Sequence, residues 1–407
     1  MSQQINFEAA IRRVQDEASF IQVLLRDTLG WQIDQPFSEL DDIAYDWPLS
    51  ELNAHGLDEK LVNGKIHQIQ PLADNQPWGV FLLKFTNEAP FTTGKGLAGV
   101  LRPILRRLVA SRRSKGTLPT WQREHLLFIC THSFKHFRIA YFKDAKTESG
   151  IAQLSTFGWG PDIPARTACE FNLPQLSWPE FDAERHPEQW VSMWASAFDV
   201  EQVTKLFYQD YARVFSEVEH IVEEHTAFRK SDDLRLFTQS LFNRLMFLRF
   251  IERKGWLKFN ERRDYLQALF EAGAIGRKSL YRSRIKPLFF EGLAKKNHTA
   301  SAPIGEVPFL NGGLFEERDL DRDVTDIPDE AFRPIIGKDG LFYRYNFTVE
   351  ESTPIDIEVA VDPEMLGKVF EELVTGRHDT GSYYTPRPIV SFMCREALTG
   401  YLSNATT

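Results

Sequence analysis

The sequence predicts an α/β fold in its N-terminal part, followed by a mainly α-helical region. Short apolar runs that are typical of buried strands alternate with segments of helical period up to about residue 180. A long stretch of helical period then extends from about Pro187 to Phe270. The chain has 407 residues, more than one ordinary hydrophobic core contains, so we expect two or three domains.

The N-terminal part is predicted to contain helices and four strands. Residues 7–30 have apolar side chains at helical spacing and end at a glycine, which predicts one amphipathic helix. Residues 97–113 also have a helical period. Apolar runs predict strands at Trp78–Phe85, His125–His132, Phe137–Asp144 and Arg166–Leu173.

The rest of the chain is predicted to be helical, then rich in turns, then α/β again. One helical face holds the apolar residues Leu234, Phe237, Leu241, Leu245 and Leu248. Prolines and glycines are frequent between residues 301 and 323, which indicates several turns. A short strand and a helix ending at Gly376 begin a last module. We therefore predict a division into residues 1–180, 181–350 and 351–407.

Composition excludes several classes of protein. A net charge of −9 does not suggest a chain that binds nucleic acid over its whole surface. The three cysteines are widely spaced and form no CxxC pair, which predicts a reducing cytoplasm and neither a disulfide framework nor a zinc site. The N-terminus lacks the features of a signal peptide, and charged residues interrupt the most apolar window. We expect a cytoplasmic protein with no membrane partner.

GKGLAG (residues 94–99) is a literal GxGxxG pattern between a predicted strand and a predicted helix. In a dinucleotide-binding fold the first glycine directly follows the strand, and an acidic residue follows about 20 positions later. Here a loop separates Phe85 from Gly94, and the downstream sequence SRRSKGTLPTW contains no carboxylate. We interpret the pattern as a loop that enters a helix and predict no dinucleotide cofactor.

Basic residues cluster between Lys84 and Lys115, where eight lysines and arginines accompany one acid, Glu88. On a helix, Arg102, Arg106 and Arg113 lie roughly on one face, which suits a row of phosphates. We therefore predict that the backbone of double-stranded DNA contacts Lys84, Arg102, Arg106 and Arg113. The alternative is a solvated helix face with no ligand.

An α/β domain of this size could be a metal-dependent nuclease of the restriction type. Such sites need an acidic residue, then a carboxylate two positions before a lysine on a following strand. Lys84 is available on the predicted strand, but Leu82 stands where the carboxylate belongs. We therefore expect a nuclease-like fold without activity and without a metal; an unrecognised acid near Lys84 is the alternative. Upstream acids are Glu39, Asp41, Asp42 and Asp46.

Two further groups of polar residues receive no functional role. His125, His132 and His136 lie close together in sequence, but they have no companion cysteines and no HExxH pattern, so we expect them to pack at strand ends. Asp356, Glu358 and Asp362 form an acidic strand edge that we expect to be solvated and not catalytic.

TGSYYTP (residues 380–386) places two tyrosines just before a helix. Thr385 suits an N-cap, and Pro386 suits the first helical position. The following segment PIVSFMCREAL is a largely apolar helix by its pattern. A capped core helix explains this stretch but leaves the tyrosine pair unexplained. The alternative is a binding site, because an aromatic wall beside the free N–H groups of a helix start suits a flat, charged ligand.

GSYYTP and the helix after it resemble motif X of adenine-N6 DNA methyltransferases with the gamma order of motifs. The blocks NRLMFLRFIERKGWL, IKPLFFEGL, VPFLNGGLFE and MLGKVFEELVTGRHDTGSYYTP occur in the order found in type IIG restriction–modification enzymes. Methyltransferases of anti-phage defence systems such as BREX and DISARM share this layout. The resemblance extends from about residue 230 to the C-terminus, and earlier residues share only the general layout.

The resemblance implies a role for several parts of the chain. Tyr384, Thr385 and Pro386 would line S-adenosylmethionine. The N-terminal part would be a restriction-nuclease-like domain, followed by the helical connector and the first helix of a Rossmann-like methyltransferase domain. Partners would be double-stranded DNA and the remainder of the methyltransferase or other defence subunits.

One departure from the family limits the predicted activity. Methyl transfer to adenine N6 needs a glycine loop for the cofactor and an NPPY-type tetrad for the flipped base. Neither pattern occurs in the 407 residues, so we predict no catalytic residue and cofactor binding only together with a methyltransferase core. The leading hypothesis is the N-terminal portion of an adenine-specific methyltransferase of a bacterial system. The rival hypothesis is a non-enzymatic DNA-binding adaptor that docks on a separate catalytic chain.

Overall fold

The structure is a computed structural model of the chain. It describes residues 6–31, 39–49, 57, 59–70, 76–92, 96–111, 124–143, 152–228, 230–296, 303–310, 312–349, 353, 355–363 and 387–405. The chain divides into two compact units, Met1–Asp362 and Pro363–Thr407.

The first unit is α/β and contains a seven-stranded mixed sheet in its described part, with the strands in chain order from β1 to β7. The β3–β4 and β6–β7 pairs are parallel, and the other neighbouring pairs are antiparallel. Three predicted strands are confirmed within one residue as β3, β4 and β5. The strands are β1 Ala44–Pro48, β2 Lys65–Ile69, β3 Trp78–Lys84, β4 His125–His132, β5 His136–Lys143, β6 Gln153–Trp159 and β7 Asp356–Glu358.

Helices cover both faces of the sheet, which explains the apolar character of its central strands. The six inner residues of β4 and of β5 are all buried. On one face, Phe81 and Phe128 stack and pack with apolar residues of the helix that follows β3. On the other face, Trp78 lies 5.3 Å from Trp194, and Tyr141 lies 5.2 Å from Phe198, between ring centroids. The core of the α/β part therefore has two layers.

The prediction of one helix over residues 7–30 is wrong in detail. Helix α1 (Phe7–Arg13) ends at Val14, whose backbone is extended. Helix α2 (Glu17–Ser19) starts again because the Asp16 carboxylate accepts a hydrogen bond from the Ser19 N–H, and it continues as a π-helical segment, Phe20–Thr28.

The strand predicted at Arg166–Leu173 is also wrong, because this segment is helical. It forms a π-helical turn, Ala168–Asn172, that continues as α4 (Leu173–Gln175). The buried Asn172 amide donates a hydrogen bond to the Ala197 carbonyl at 2.6 Å, which fixes the turn against the chain that follows. Tertiary packing thus outweighs the strand-like alternation of the sequence.

The helical region follows the prediction closely. The residues predicted to share one face of α7 are all buried, and Phe242 of α7 lies 5.2 Å from Tyr211 of α6 between ring centroids. α3 is preceded by a π-helical segment, Leu97–Leu101, and further π-helical segments are Tyr281–Ile285 and Leu288–Leu293. The helices are α3 Arg102–Ser111, α5 Pro187–Ser196, α6 Val200–His225, α7 Ser231–Arg253, α8 Tyr265–Glu271, α9 Asp319–Asp323, α10 Arg333–Ile336 and α11 Leu341–Arg344.

The short strand predicted after residue 350 exists as β7, and it pairs with β6 of the sheet. Residues beyond 350 therefore contribute to the first unit. The division of the chain at residues 180 and 350 stays a prediction.

In the second unit, the structure describes one long helix, α12 (Arg387–Ala405), where the sequence predicts a helix after Pro386. The helix predicted to end at Gly376 lies outside the described residues. In the described part of the chain, no helix combines the length and the apolar character needed to cross a membrane.

Candidate functional site

Lys84, one of the predicted DNA-binding residues, ends β3 and forms an ion pair with Glu17. Its Nζ donates to Glu17 Oε2 at 2.7 Å, and both side chains are partly buried. The other oxygen of Glu17 accepts a hydrogen bond from the Leu40 N–H at 3.3 Å. Glu17 is the first residue of α2, because the Asp16 cap starts the helix there. The pair therefore fastens α2 to the sheet.

A second polar pair lies on the neighbouring strands. The register places Asp46 of β1 opposite His67 of β2, and His67 opposite Leu82 of β3. The two oxygens of Asp46 contact His67 Nδ1 at 2.6 Å and Lys65 Nζ at 2.8 Å. Burial, together with the positive charge of Lys84, lowers the pKa of His67, and Asp46 opposes this shift. At neutral pH the imidazole of His67 is therefore uncharged, and it lies next to the ionised carboxylate of Asp46.

This end of the sheet has the residue types of a nuclease site but not the arrangement. Leu82 is fully buried where a metal-binding carboxylate would stand. Lysines already pair with the carboxylates of Glu17 and Asp46. Among the residues that the structure describes, no three or more His, Cys, Asp or Glu side chains could hold one metal ion. The absence of nuclease activity stays a prediction.

Glu17 is the residue that sequence reasoning missed at this site. It is an acid next to Lys84 in space, although 67 residues separate the two positions along the chain, and the alternative of a metal nuclease at this place stays a prediction. The available signal was the capping pattern of Asp16 and Ser19, which predicts a new helix start and an acid in its first turn.

Arg102 and Arg106, the next predicted DNA-binding residues, both make internal contacts. Arg102 is 7% exposed and lies close enough to Glu358 to lower the pKa of that carboxyl. Arg106 binds Asp356 Oδ1 through its Nη2 at 2.6 Å, and it also donates to the carbonyls of Ile355 and Ala152. These contacts hold β7 and the start of β6 against α3. A role in DNA binding stays a prediction for both.

The remaining predicted site residues are one basic residue of the α3 region and the three residues of the TGSYYTP motif. Arg113, Tyr384, Thr385 and Pro386 lie outside the described residues. The predicted contacts of residues 384–386 with S-adenosylmethionine therefore depend on the motif alone.

The expectation of a solvated acidic edge at Asp356, Glu358 and Asp362 is wrong, because Glu358 and Asp362 are buried and Asp356 is partly buried. Glu358 is buried, accepts a hydrogen bond from Arg138 Nη1 at 2.9 Å, and accepts another from the Asn346 side chain at 3.1 Å. Burial alone would raise the pKa of Glu358, but the charge of Arg138 and its hydrogen bonds hold this pKa below the ordinary value. Asp356 is the partner of Arg106. Both acids therefore serve the packing of β7.

A large cleft runs along the first unit and was not predicted. Its volume is about 1810 Å³, and its lining comes from α1, the β4–β5 turn, the segment after β6, the end of α7, the start of α8 and the α10–α11 turn. Ten of the lining residues are arginine or lysine, and six are aspartate or glutamate. The cleft is thus locally basic on a chain whose net charge is −9.

Buried polar contacts fix one side of this cleft. Glu252 pairs with Arg249, and it accepts hydrogen bonds from the Leu266 N–H at 2.8 Å and from the Tyr343 hydroxyl at 2.7 Å. Arg253 donates to the Phe347 carbonyl at 2.8 Å and to the Asp162 carbonyl at 3.2 Å. Because Asp162 follows β6 and Arg253 ends α7, this side chain joins the α/β part to the helical region.

Comparison with known proteins gives one relative among curated proteins. Over 236 residues the chain is 28% identical to a protein of Methanocaldococcus jannaschii that is provisionally named a type II restriction enzyme and methyltransferase. The similarity covers 49% of this chain and 19% of the relative. The chain therefore spans only a small part of that protein. No protein-family profile matches the chain. No solved structure matches it either.

Proposed function

We propose that this chain is the N-terminal portion of an adenine-specific (N6) DNA methyltransferase of a restriction–modification or anti-phage defence system. It binds DNA, contributes one wall of the S-adenosylmethionine site and is not catalytic alone. The similarity to the M. jannaschii protein, over about half of this chain, is the observation that carries the proposal. The protein acts in the cytoplasm, on double-stranded DNA.

The exposed apolar side chains of α12 support this function. Seven large apolar residues of this helix are at least 42% exposed in the structure, whereas surface helices normally bury one apolar stripe. Large apolar side chains that stay exposed around most of a helix indicate a missing packing partner. The sheet of a methyltransferase core is the partner that the motif order implies. The residues are Ile389, Val390, Phe392, Met393, Leu398, Tyr401 and Leu402.

S-adenosylmethionine would supply the methyl group, and this chain would only help to hold the cofactor. Tyr384, Thr385 and Pro386 are the residues that would contact it, through two aromatic faces and a helix start. The chain contributes no proton transfer and no base recognition in this proposal. Both functions belong to the methyltransferase core.

Deletion of the coding sequence in the native host tests the proposal. We expect N6-methyladenine to disappear from one sequence context of the genomic DNA, measured by long-read sequencing that detects modified bases. The purified 407-residue chain should transfer no methyl group from labelled S-adenosylmethionine to DNA. Unchanged methylation after deletion would contradict the proposal.

The second candidate is a non-enzymatic DNA-binding adaptor. The exposed apolar residues of α12 support it as well as they support the methyltransferase portion, because a separate chain can also cover an apolar helix. The intact mass of the protein from its host separates the two. A mass well above 47.0 kDa supports the methyltransferase portion. A mass equal to that of this chain supports the adaptor.

A further inference from the structure

The cleft of the first unit is too large for a typical small-molecule site. Pockets for small ligands have volumes of roughly 300–1,000 Å³ and are mostly apolar. This cleft measures about 1810 Å³, and at least six separate segments of the chain line it. Its size and polar lining fit a segment of a macromolecule.

Four cations of the cleft lining have no acidic partner among the described residues. Lys135, Lys254, Arg263 and Lys338 are exposed and form no ion pair with any described carboxylate. Most other arginines of the lining are paired, for example Arg166 with Glu170 at 2.9 Å. Two lining acids, Asp162 and Asp339, also have no cationic partner within the described residues. Unpaired cations are therefore in excess.

Arg253 adds a positive charge to the cleft and forms no ion pair with a described carboxylate, although Glu358 and Glu252 lie near enough to raise its pKa. Its described hydrogen bonds go to two carbonyl oxygens and, at 3.4 Å, to the Asn346 side-chain oxygen. Burial and the nearby charge of Arg249 lower the pKa of Arg253 to about 10, so it stays protonated at neutral pH. An anion in the cleft would further stabilise this charge, because burial still lowers the pKa of Arg253 despite the nearby carboxylates.

We propose that this cleft binds the phosphate backbone of duplex DNA through Lys135, Lys254, Arg263 and Lys338. The proposal deepens the proposed function by naming its DNA-binding surface. Four cations from four different segments suit successive phosphates better than one small anion, because DNA carries one negative charge per about 1.7 Å of helix axis. This surface differs from the face of α3 that the sequence suggested.

The test measures binding of the purified 407-residue chain to a fluorescent duplex of random sequence, by anisotropy over a series of salt concentrations. In the cleft variant, Lys254→Gln, Arg263→Gln and Lys338→Gln are combined. We expect the affinity to fall about tenfold or more near 0.1 M salt. The slope of log K against log salt should decrease in magnitude by about 2 to 3.

A matched control variant combines Lys205→Gln, Arg277→Gln and Lys278→Gln. These residues are exposed, lie outside the cleft lining, and change the net charge by the same amount. We expect the control to change the affinity less than about twofold and the cleft variant to keep the wild-type far-UV circular dichroism. Equal losses in the two variants, or no DNA binding by the wild-type chain, would overturn the proposal. Tighter binding to the RNA duplex of the same sequence would overturn the choice of DNA.

This test and that of the proposed function can fail separately. Binding that depends on the cleft, together with unchanged methylation in the deleted host, would keep the cleft and reject the methyltransferase. DNA binding that is unchanged in the cleft variant, together with lost methylation in the deleted host, would reject the cleft as the DNA-binding surface and keep the proposed function.

Discussion

At the scale of single residues, Arg138 and Glu358 show how a buried charge is accommodated across three strands. Arg138 lies on β5 opposite Gly158 of β6, and it reaches Glu358 on β7. A Cβ atom at Gly158 would lie 2.7 Å from Arg138 Cδ and 2.2 Å from the Phe137 carbonyl oxygen. Glycine is therefore required because a Cβ atom would clash first with the Phe137 carbonyl oxygen and then with the Arg138 side chain.

Replacement of Arg138 by methionine should strongly destabilise the protein. Glu358 would stay buried without its cation, so we expect the free energy of unfolding to fall by about 3–5 kcal/mol in urea denaturation. The double variant Arg138→Met, Glu358→Leu should regain much of this loss. Arg185→Met is the control, because its pair with Asp182 is exposed and should contribute less than about 1 kcal/mol. A double variant as unstable as the single one would contradict the explanation.

His67 should make stability depend on pH. Burial, first, and the charge of Lys84 lower its folded pKa below the ordinary 6.5, so the unfolded chain binds the proton more readily. The contribution of neutral His67 to the free energy of unfolding is fully present above its ordinary pKa. This contribution is lost as the pH falls toward the lower pKa of the folded protein. We expect His67→Gln to lose less stability than the wild type between about pH 7.5 and about pH 5.5 in urea unfolding.

His136 shifts in the same direction, with burial as its main cause, so some of the slope should survive in His67→Gln. A double variant that also carries His136→Gln should be flatter still. If the free energy of unfolding depends on pH equally in the wild type and in His67→Gln, the lowered pKa of His67 is contradicted. Asp46 would then fully offset the effect of burial on this pKa.

At the scale of elements, β7 is a three-residue edge strand that depends on side chains for its position. Backbone hydrogen bonds join it to β6 through the Leu154 N–H to Ile355 and the Val359 N–H to Thr156, each at 2.8 Å. Arg106 of α3 clamps the same segment from the side. A strand this short gains little from its ladder, so the arginine contacts determine its stability.

Arg106→Met should loosen β7 locally. We expect the amide of Val359 to exchange hydrogen about tenfold faster or more, measured by mass spectrometry of exchanged peptides. Arg107→Met is the matched control, since Arg107 is exposed on the same helix and should leave the exchange unchanged. DNA affinity of the two variants, compared by anisotropy, also tests the predicted role of Arg106 in DNA binding. Unchanged exchange in Arg106→Met would contradict the clamp.

At the scale of the whole molecule, the two compact units differ in how completely they bury apolar side chains. The first unit buries most of its described aromatic residues in a two-layer α/β core and a helical core. The described helix of the second unit exposes most of its large apolar residues. Because of this difference we propose that another part of the protein or another chain packs on α12. The buried core of the first unit requires no such partner.

Cysteine labelling should report whether α12 is covered. Cys394 of α12 is exposed, whereas Cys130 and Cys169 are buried, and burial raises the pKa of Cys169 to about 12. In the 407-residue chain we expect maleimide to modify Cys394 alone, measured by intact mass. In the native protein from its host, Cys394 should be protected by the methyltransferase core or by the catalytic chain. Rapid labelling there would show that α12 stays uncovered.

Prediction from the sequence succeeded where a segment is buried on both sides. β3, β4 and β5 were found because strands covered on both faces read as continuous apolar runs. β1 and β2 were missed because their polar residues, such as Asp46 and His67, obscure the pattern. The helix at residues 168–175 was missed because its short apolar pattern fits a strand equally well.

The sequence by itself determined the α/β class, the helical face of α7, the helix after TGSYYTP and the similarity to restriction–modification proteins, since each depends on local pattern or motif order. Only the tertiary structure decided which charges face inward. It placed Glu17 on Lys84, Arg106 on Asp356 and Arg138 on Glu358, and it assembled the basic cleft from six segments. Contacts between residues far apart in the chain leave no local periodicity, so pairing and cleft formation appear only when the elements pack.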